Sequence, residues 1–281
     1  MSGYLAMARP VNCLLGAAAT FVAFGIVHGF TEIQHWEFQR LALAMVIVGT
    51  FMAAGNALND FFDRWTDRIS HPSRPIPSGR VSPRGALLFA TALFCLDAVL
   101  APFLSPLGAL IAYVSMVIMV GYELKAKSAG LAGNLSIAWL TASLFLFGGF
   151  AAVHPEPLKA ALTAGILGML AFLSTAGREV VKDIQDLAGD RGARATLPMR
   201  IGRARAGMIA AVFFLAAVVL SPLPYLSGEL GAWYLVIVGA ADAIFIYSAA
   251  IGARSPARSA ASAKCAMAVA LVAFVLGGIS P

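Results

Sequence analysis

The stretch Leu41-Ala-Leu-Ala-Met-Val-Ile-Val-Gly-Thr-Phe-Met-Ala-Ala-Gly-Asn56-Ala-Leu-Asn59-Asp60-Phe-Phe-Asp63-Arg64-Trp-Thr-Asp67 decides how the chain must be read. Its first two thirds form an apolar run that, as a helix rising 1.5 Å per residue, reaches across most of a hydrocarbon core of about 30 Å. It then breaks into four polar residues, Asn56, Asp60, Asp63 and Asp67, spaced four, three and four apart. The run belongs in lipid and the acids at its rim.

The rest of the chain repeats the first half of that pattern. Apolar runs bounded by charges, Gly and Pro predict helices at Pro10–Gly29, Leu41–Leu58, Gly85–Phe103, Leu107–Tyr122, Leu131–Ala152, Ala160–Ala176, Ala206–Leu220, Leu230–Ile251 and Ala260–Gly278. Hydrophobic residues make up 60% of the 281 and charged residues only 12%, with mean hydropathy +0.83. Soluble domains carry roughly 25% charged residues, so that class is excluded. The expected fold is an all-α polytopic membrane protein of nine transmembrane helices, one domain over residues 1–281. The first run lacks a small-residue cleavage site and is long enough to span, so it reads as a retained helix. Cys13, Cys95 and Cys265 show no CxxC spacing and read as small packing residues.

Nine spans put the termini on opposite sides. Of the 20 Lys and Arg residues, 18 then fall on one side, leaving only Arg40 and Lys159 on the other. By the positive-inside rule the rich side is cytoplasmic, with the N-terminus inside and the C-terminus outside. The net charge of +6 belongs to this face and suits anionic headgroups, not nucleic acid.

Both charged loops on this side carry acids at one spacing. Glu179, Asp183, Asp186 and Asp190 repeat the four, three, four pattern of Asn56 to Asp67. At 100° per residue each set covers an arc of about 60°, one polar face if the segment is helical. Like charges so placed destabilise a helix by roughly 0.2–0.5 kcal/mol per pair, a penalty a divalent cation removes. Carboxylate and amide oxygens are hard donors suited to Mg²⁺, which binds through one or two carboxylates plus substrate phosphates. Two such faces across a cavity suit a diphosphate held by metal, with Arg64, Lys125, Arg178 and Lys182 supplying further positive charge. One acidic helix end alone is ordinary solvated pairing. A cation-coupled transporter is the rival class, but it needs its acids midway through the membrane.

The motif Asn59-Asp60-x-x-Asp63-x-x-x-Asp67, followed by His71-Pro-Ser-Arg-Pro-Ile-Pro-Ser-Gly79, closely resembles the first signature of the UbiA superfamily of intramembrane prenyltransferases. Asp183-x-x-Asp186-x-x-x-Asp190 resembles the second. The resemblance implies a helical bundle around a central cavity opening to the membrane, with Mg²⁺-dependent binding of a prenyl diphosphate. Arg9-Pro-Val-Asn-Cys13, Leu124-Lys125 with Gly130–Asn134, Leu146–Gly149, and Gly177–Asp190 with Thr196-Leu-Pro198 look like the archaeal lipid branch, the digeranylgeranylglyceryl phosphate synthases. That branch implies geranylgeranyl diphosphate as donor and the membrane lipid precursor 3-O-geranylgeranylglyceryl 1-phosphate as acceptor. A quinone-pathway member with an aromatic acceptor is the alternative.

On this resemblance Asn59, Asp63, Asp67, Asp186 and Asp190 are the leading metal ligands, with Asp60 and Asp183 as alternates. Arg64 and Lys125 are the candidates for the donor diphosphate. Arg74, Arg80 and Lys182 suit either phosphate, and Arg9 the acceptor's, with Arg191 also on this rim. Tyr122 stands between two roles, a ring face for an allylic cation and an interfacial belt aromatic. Asp97 and Asp242 fall inside spans, where a carboxyl is expected to be hydrogen-bonded to a neighbouring helix. His35, His71 and His154 read as solvated loop residues.

Overall fold

Proline begins five of the long helices, at Pro10, Pro83, Pro106, Pro157 and Pro256, where its missing N–H is one the helix start leaves unpaired anyway. Two of these starts are also capped: Ser82 Oγ accepts from Gly85 N–H and Ser105 Oγ from Gly108 N–H, at 3.0 and 2.9 Å. The computed structural model describes residues 3–152, 156–187 and 195–279. In chain order its helices are α1 (Gly3–Ala8), α2 (Pro10–His28), α3 (His35–Phe62), α4 (Arg64–Ser70), α5 (Pro83–Leu100), α6 (Pro106–Leu124), α7 (Leu131–Ala151), α8 (Pro157–Gln185), α9 (Leu197–Ile201), α10 (Arg203–Leu220), α11 (Leu223–Leu226), α12 (Ala232–Ile251) and α13 (Pro256–Ile279). Among the described residues nine helices are long and apolar enough to cross a membrane, and the chain is a multi-pass membrane protein.

The helices form a ring. α2 packs on α3, α3 on α5, α6 on α7 and α7 back onto α2; α7 leads into α8, which packs on α10 and α13, and α13 closes against α2. Where α7 crosses α2 there is no room for a side chain: a Cβ on Gly148 would stand 2.5 Å from the Thr20 carbonyl oxygen. Without water to drive helices together, such small-residue contacts let backbones approach and supply the packing. Apolar residues facing outward, such as Val11, Leu88, Val117 and Val219, are each at least 70% exposed, as lipid contact requires.

A cavity of about 590 Å³ lies inside the ring, walled by Ala19, Leu144, Phe145, Leu170, Val238, Leu271 and Phe274 among others. Its floor is polar. Asp242 on α12 accepts from Ser221 Oγ at 2.6 Å, and Tyr234 donates to the Ser221 carbonyl at 2.6 Å. Asp97 instead sits fully buried between α5 and α3, accepting from Thr50 Oγ1 at 2.5 Å. Both intramembrane acids therefore bond to neighbouring helices as expected.

The basic loops share one end. Lys127 reaches Asp63, Arg200 donates to the Ser128 carbonyl, and Arg203 donates to the carbonyls of Ala253 and Arg254. Arg40 stands at the opposite end, where its guanidinium bonds the carbonyls of Ala151 and Leu104. Two sequence expectations are corrected. His35 is the first residue of α3, not a loop residue. Cys95 and Cys265 face outward instead of packing inside, and all three thiols are free.

Candidate active site

α3 runs past its apolar stretch to Phe62, and the chain bends at Asp63 (φ −82°, ψ 1°) into α4. The hydrogen-bond ladder survives the bend, since Asp63 N–H bonds the Asn59 carbonyl and Asp67 N–H the Asp63 carbonyl, at 2.9 and 2.8 Å. The first acidic segment is thus two helices joined by a kink. Asn56, Asn59 and Asp63 follow Met52, a cavity-lining residue, at helical spacings, so this segment extends the wall of the cavity towards the basic end.

Each buried acid of this segment is met by a cation from a different part of the chain. Arg9, at the junction of α1 and α2, adopts a left-handed φ of 53° and forms an ion pair with Asp60, reaching Asn56 Oδ1 at 3.4 Å. The loop His71–Gly79 folds back so that Ile76 and Val81 pack with Met7 and Leu58. That brings Arg74 Nη1 to both oxygens of Asp67, at 2.8 and 2.6 Å, and to 3.8 Å from Asp60. Lys127 Nζ lies 2.6 Å from Asp63 Oδ2 and 3.1 Å from Glu123 Oε2, while Asn59 Nδ2 donates to Glu123 Oε1 at 2.8 Å. Asp60 and Asp67 are only 2% and 3% exposed. Charges so buried need partners, and these have them.

The second segment continues α8 beyond the expected end at Ala176. Asp183 accepts from Asn134 Nδ2 of α7 at 2.9 Å, and Glu179 takes both Arg178 (2.8 Å) and Lys182 (2.9 Å). Asp186 caps α8 and is exposed. Asp190 and Arg191, like His154, lie outside the described residues. Lys125 is exposed, whereas Arg64 turns back to the Phe61 carbonyl at 2.7 Å with its guanidinium 4.5 Å above the Phe61 ring. Arg80 bonds Ser78 Oγ and the Ser73 carbonyl. Lys127 Nζ stands 5.8 Å from the Tyr122 ring centre.

Glu123, Lys127 and Asn134 carry no site role in the sequence reading. A signal for the first two exists: Glu123 is a lone acid at the end of an apolar run, and Lys127 stands four residues on, in ion-pair register.

Among the described residues no three His, Cys, Asp or Glu side chains converge into a cage for an ion. The donors fit Mg²⁺ in another way, as one or two carboxylates per ion with substrate phosphate completing the coordination. Asn134 adds an observation of its own. Its Oδ1 is buried with no partner among the described residues, beside Asp183. A hard cation at Asp183 would supply that oxygen with one.

The description "UbiA prenyltransferase family" matches residues 17–275. A protein named digeranylgeranylglyceryl phosphate synthase from Halobacterium salinarum is 40% identical over 278 residues, covering 98% of this chain and 96% of that one. A solved structure described as digeranylgeranylglyceryl phosphate synthase in membranes superposes with TM-score 0.86 at 32% identity, over 99% of this chain and 98% of that one. A UbiA homologue from Archaeoglobus fulgidus, solved bound to GPP and Mg²⁺, shares the fold with TM-score 0.72 at 19% identity, each chain covered in full at 100%. The family match over residues 17–275 and the 40% identity over nearly the whole chain show that the chain belongs to the UbiA family of prenyltransferases.

Proposed function

We propose that this prenyltransferase is Mg²⁺-dependent and moves a geranylgeranyl group from geranylgeranyl diphosphate to the free hydroxyl of 3-O-geranylgeranylglyceryl 1-phosphate, forming the second ether bond of an archaeal membrane lipid. The observation that carries the reading is a largely apolar cavity of about 590 Å³ whose wall includes Met52 and Arg178, on the two helices that continue into the oxygen-rich segments, in a chain 40% identical to a synthase of that name. Residues 1–281 are read as one membrane domain in the cell membrane. The basic face is taken as cytoplasmic, with the N-terminus inside and the C-terminus outside.

Asn59, Asp63, Asp67, Asp183 and Asp186, with Asp60 as an alternate and Asp190 from beyond the described residues, would hold Mg²⁺. Bound there, Mg²⁺ supplies positive charge to the departing diphosphate. Lys125 and Arg64 add cationic groups on the same rim, and Arg74 and Lys127 stand beside the carboxylates ready to meet phosphate oxygens. The allylic C–O bond of the donor breaks with its electron pair leaving on the diphosphate. The acceptor oxygen forms the new C–O bond as its hydroxyl proton passes to the released diphosphate. Leu144, Phe145, Leu170, Leu271 and Phe274 receive the isoprenoid chain and keep water from the allylic cation. Tyr122 offers a ring face near the reacting end.

The test is incubation of purified protein in detergent with Mg²⁺, labelled geranylgeranyl diphosphate and a panel of acceptors. The expected product is the doubly alkylated glyceryl phosphate. Preferential prenylation of 4-hydroxybenzoate or a naphthoate would overturn the acceptor assignment and leave the family intact.

A further inference from the structure

Lys264 carries charge where neither the metal segments nor the loops account for it. It lies eight residues, about 12 Å, beyond the first residue of α13. A charged residue that far along a spanning helix is costly and calls for a ligand, a partner or water. Among the described residues Lys264 makes no ion pair or hydrogen bond, and it lines the central cavity together with Arg178 and Asn12. Packing fixes their relative level. Ala260 and Ala263 of α13 pack in one cluster with Val180 and Val181 of α8, while Ala273 and Phe274 pack with Leu170 and Ala171. This antiparallel register sets Lys264 level with Arg178.

Arg178 is only partly satisfied. Its Nη1 holds Glu179 at 2.8 Å, but its Nε is buried with no partner among the described residues. Asn12 brings an amide from α2, and both Asn12 and Lys264 are exposed. The outer halves of α2 and α13 are closed by Ala19, Val22 and Ile26 against Ala273 and Phe274. Their inner halves leave these polar groups at a gap in the ring. Of the other cations near the cavity head, Arg9, Arg74, Lys127 and Lys182 are engaged with carboxylates, and Arg64 with the Phe61 carbonyl.

We infer that Lys264 and Arg178, with Asn12, form a phosphomonoester site in the gap between α2 and α13, separate from the diphosphate site, which holds the head of the lipid acceptor. The inference rests on the glyceryl phosphate acceptor proposed above. Lys264 and the donors of Arg178 not turned to Glu179 offer charge-assisted hydrogen bonds to a phosphomonoester, and the amide supplies a neutral donor. Held there, the glyceryl hydroxyl faces the cavity while the acceptor's own isoprenoid chain stays in the bilayer.

The test is steady-state kinetics of Lys264→Gln and Lys264→Arg in phospholipid-free detergent with Mg²⁺, varying geranylgeranyl diphosphate and geranylgeranylglyceryl phosphate in turn. Loss of one charge-assisted hydrogen bond predicts a KM for the glyceryl phosphate about tenfold higher or more in Lys264→Gln, a donor KM within about twofold of wild type, and recovery in Lys264→Arg. An unchanged acceptor KM, as expected if Lys264 merely grips bilayer phospholipid, overturns the site, and so does a rise confined to the donor KM. A parallel fall in kcat with both KM values unmoved marks a structural role and overturns it too. If the wild type itself refuses the glyceryl phosphate and prenylates an aromatic acid, the acceptor assignment has failed, a result distinct from a silent Lys264 variant.

Discussion

Replacing Asp63 separates stability from chemistry. Its carboxylate receives Lys127 at 2.6 Å in a partly shielded place, with the two side chains 11% and 17% exposed. A hydrogen bond to a charged group contributes roughly 1.5–3 kcal/mol net, and Lys127 keeps Glu123 when Asp63 is lost. Asp63→Ala then costs about 1–2 kcal/mol of stability, a fall in melting temperature of about 3–6 °C for a chain of this size. The backbone at Asp63 has negative φ, so alanine adds no strain. Loss of a preorganised group that serves charge in the transition state costs far more, about 3–4 kcal/mol or a 10²–10³-fold fall in kcat/KM. Asp63→Asn keeps the shape and an acceptor for Lys127, so its activity should fall with little change in melting. The assay is prenyl transfer in detergent at several Mg²⁺ concentrations, paired with thermal melting, and exhaustive chelation should silence the wild type. Either variant retaining more than about a third of wild-type kcat/KM, or full activity after chelation, would refute the metal role of Asp63.

Two other outcomes test the fold. Gly148→Val forces a side chain against the Thr20 backbone, 2.5 Å from a Cβ, and overpacking of this kind costs roughly 1–3 kcal/mol; an unchanged melting temperature would deny the close α2 and α7 crossing. On a cysteine-free background, Ser78→Cys should be labelled from the cytoplasmic side and Ser227→Cys from outside, both positions being exposed. Labelling of both from one side contradicts the nine-span arrangement.

The spans were legible because lipid demands long uninterrupted apolar runs, and such runs have few other readings. Their ends were not. α8 continues to Gln185 through Arg178, Glu179, Lys182 and Asp183 because Val180, Val181 and Ile184 still bury a face against α10 and α13. Average hydropathy falls there while one side stays apolar. The spacing of the first set of acids survives at the level of backbone through the kink at Asp63, and that of the second is followed as far as Asp186. What spacing cannot show is which cation meets which acid. Lys125 and Lys127 are two residues apart, and the 3₁₀ turn at Ala126–Ser128 sends Lys127 inward to Asp63 and leaves Lys125 exposed. Arg9 reaches Asp60 from 51 residues away, a pairing set by the α1 and α2 junction and invisible in any local pattern.

These pairings also bear on how the proposed reaction begins. Burying Asp60 and Asp67 without partners would cost several kcal/mol each, so a fold that keeps oxygen ligands ready inside a membrane bundle must hold counter-ions beside them. Arg9, Arg74 and Lys127 are those counter-ions, and they come from three segments joined to the helices by turns. A unit charge about 4 Å from an opposite one gains roughly 4 kcal/mol at an effective dielectric near 20, whether the partner is carboxylate or phosphate. With the carboxylates turned to Mg²⁺ and a diphosphate in place, Arg9, Arg74 and Lys127 would each exchange one anion for another within reach. Such an exchange would leave little net Coulomb cost, because each cation keeps an anionic partner throughout. In this reading the ion pairs are the resting form of the donor site, and Lys264, which has no carboxylate to hold, belongs to a different ligand.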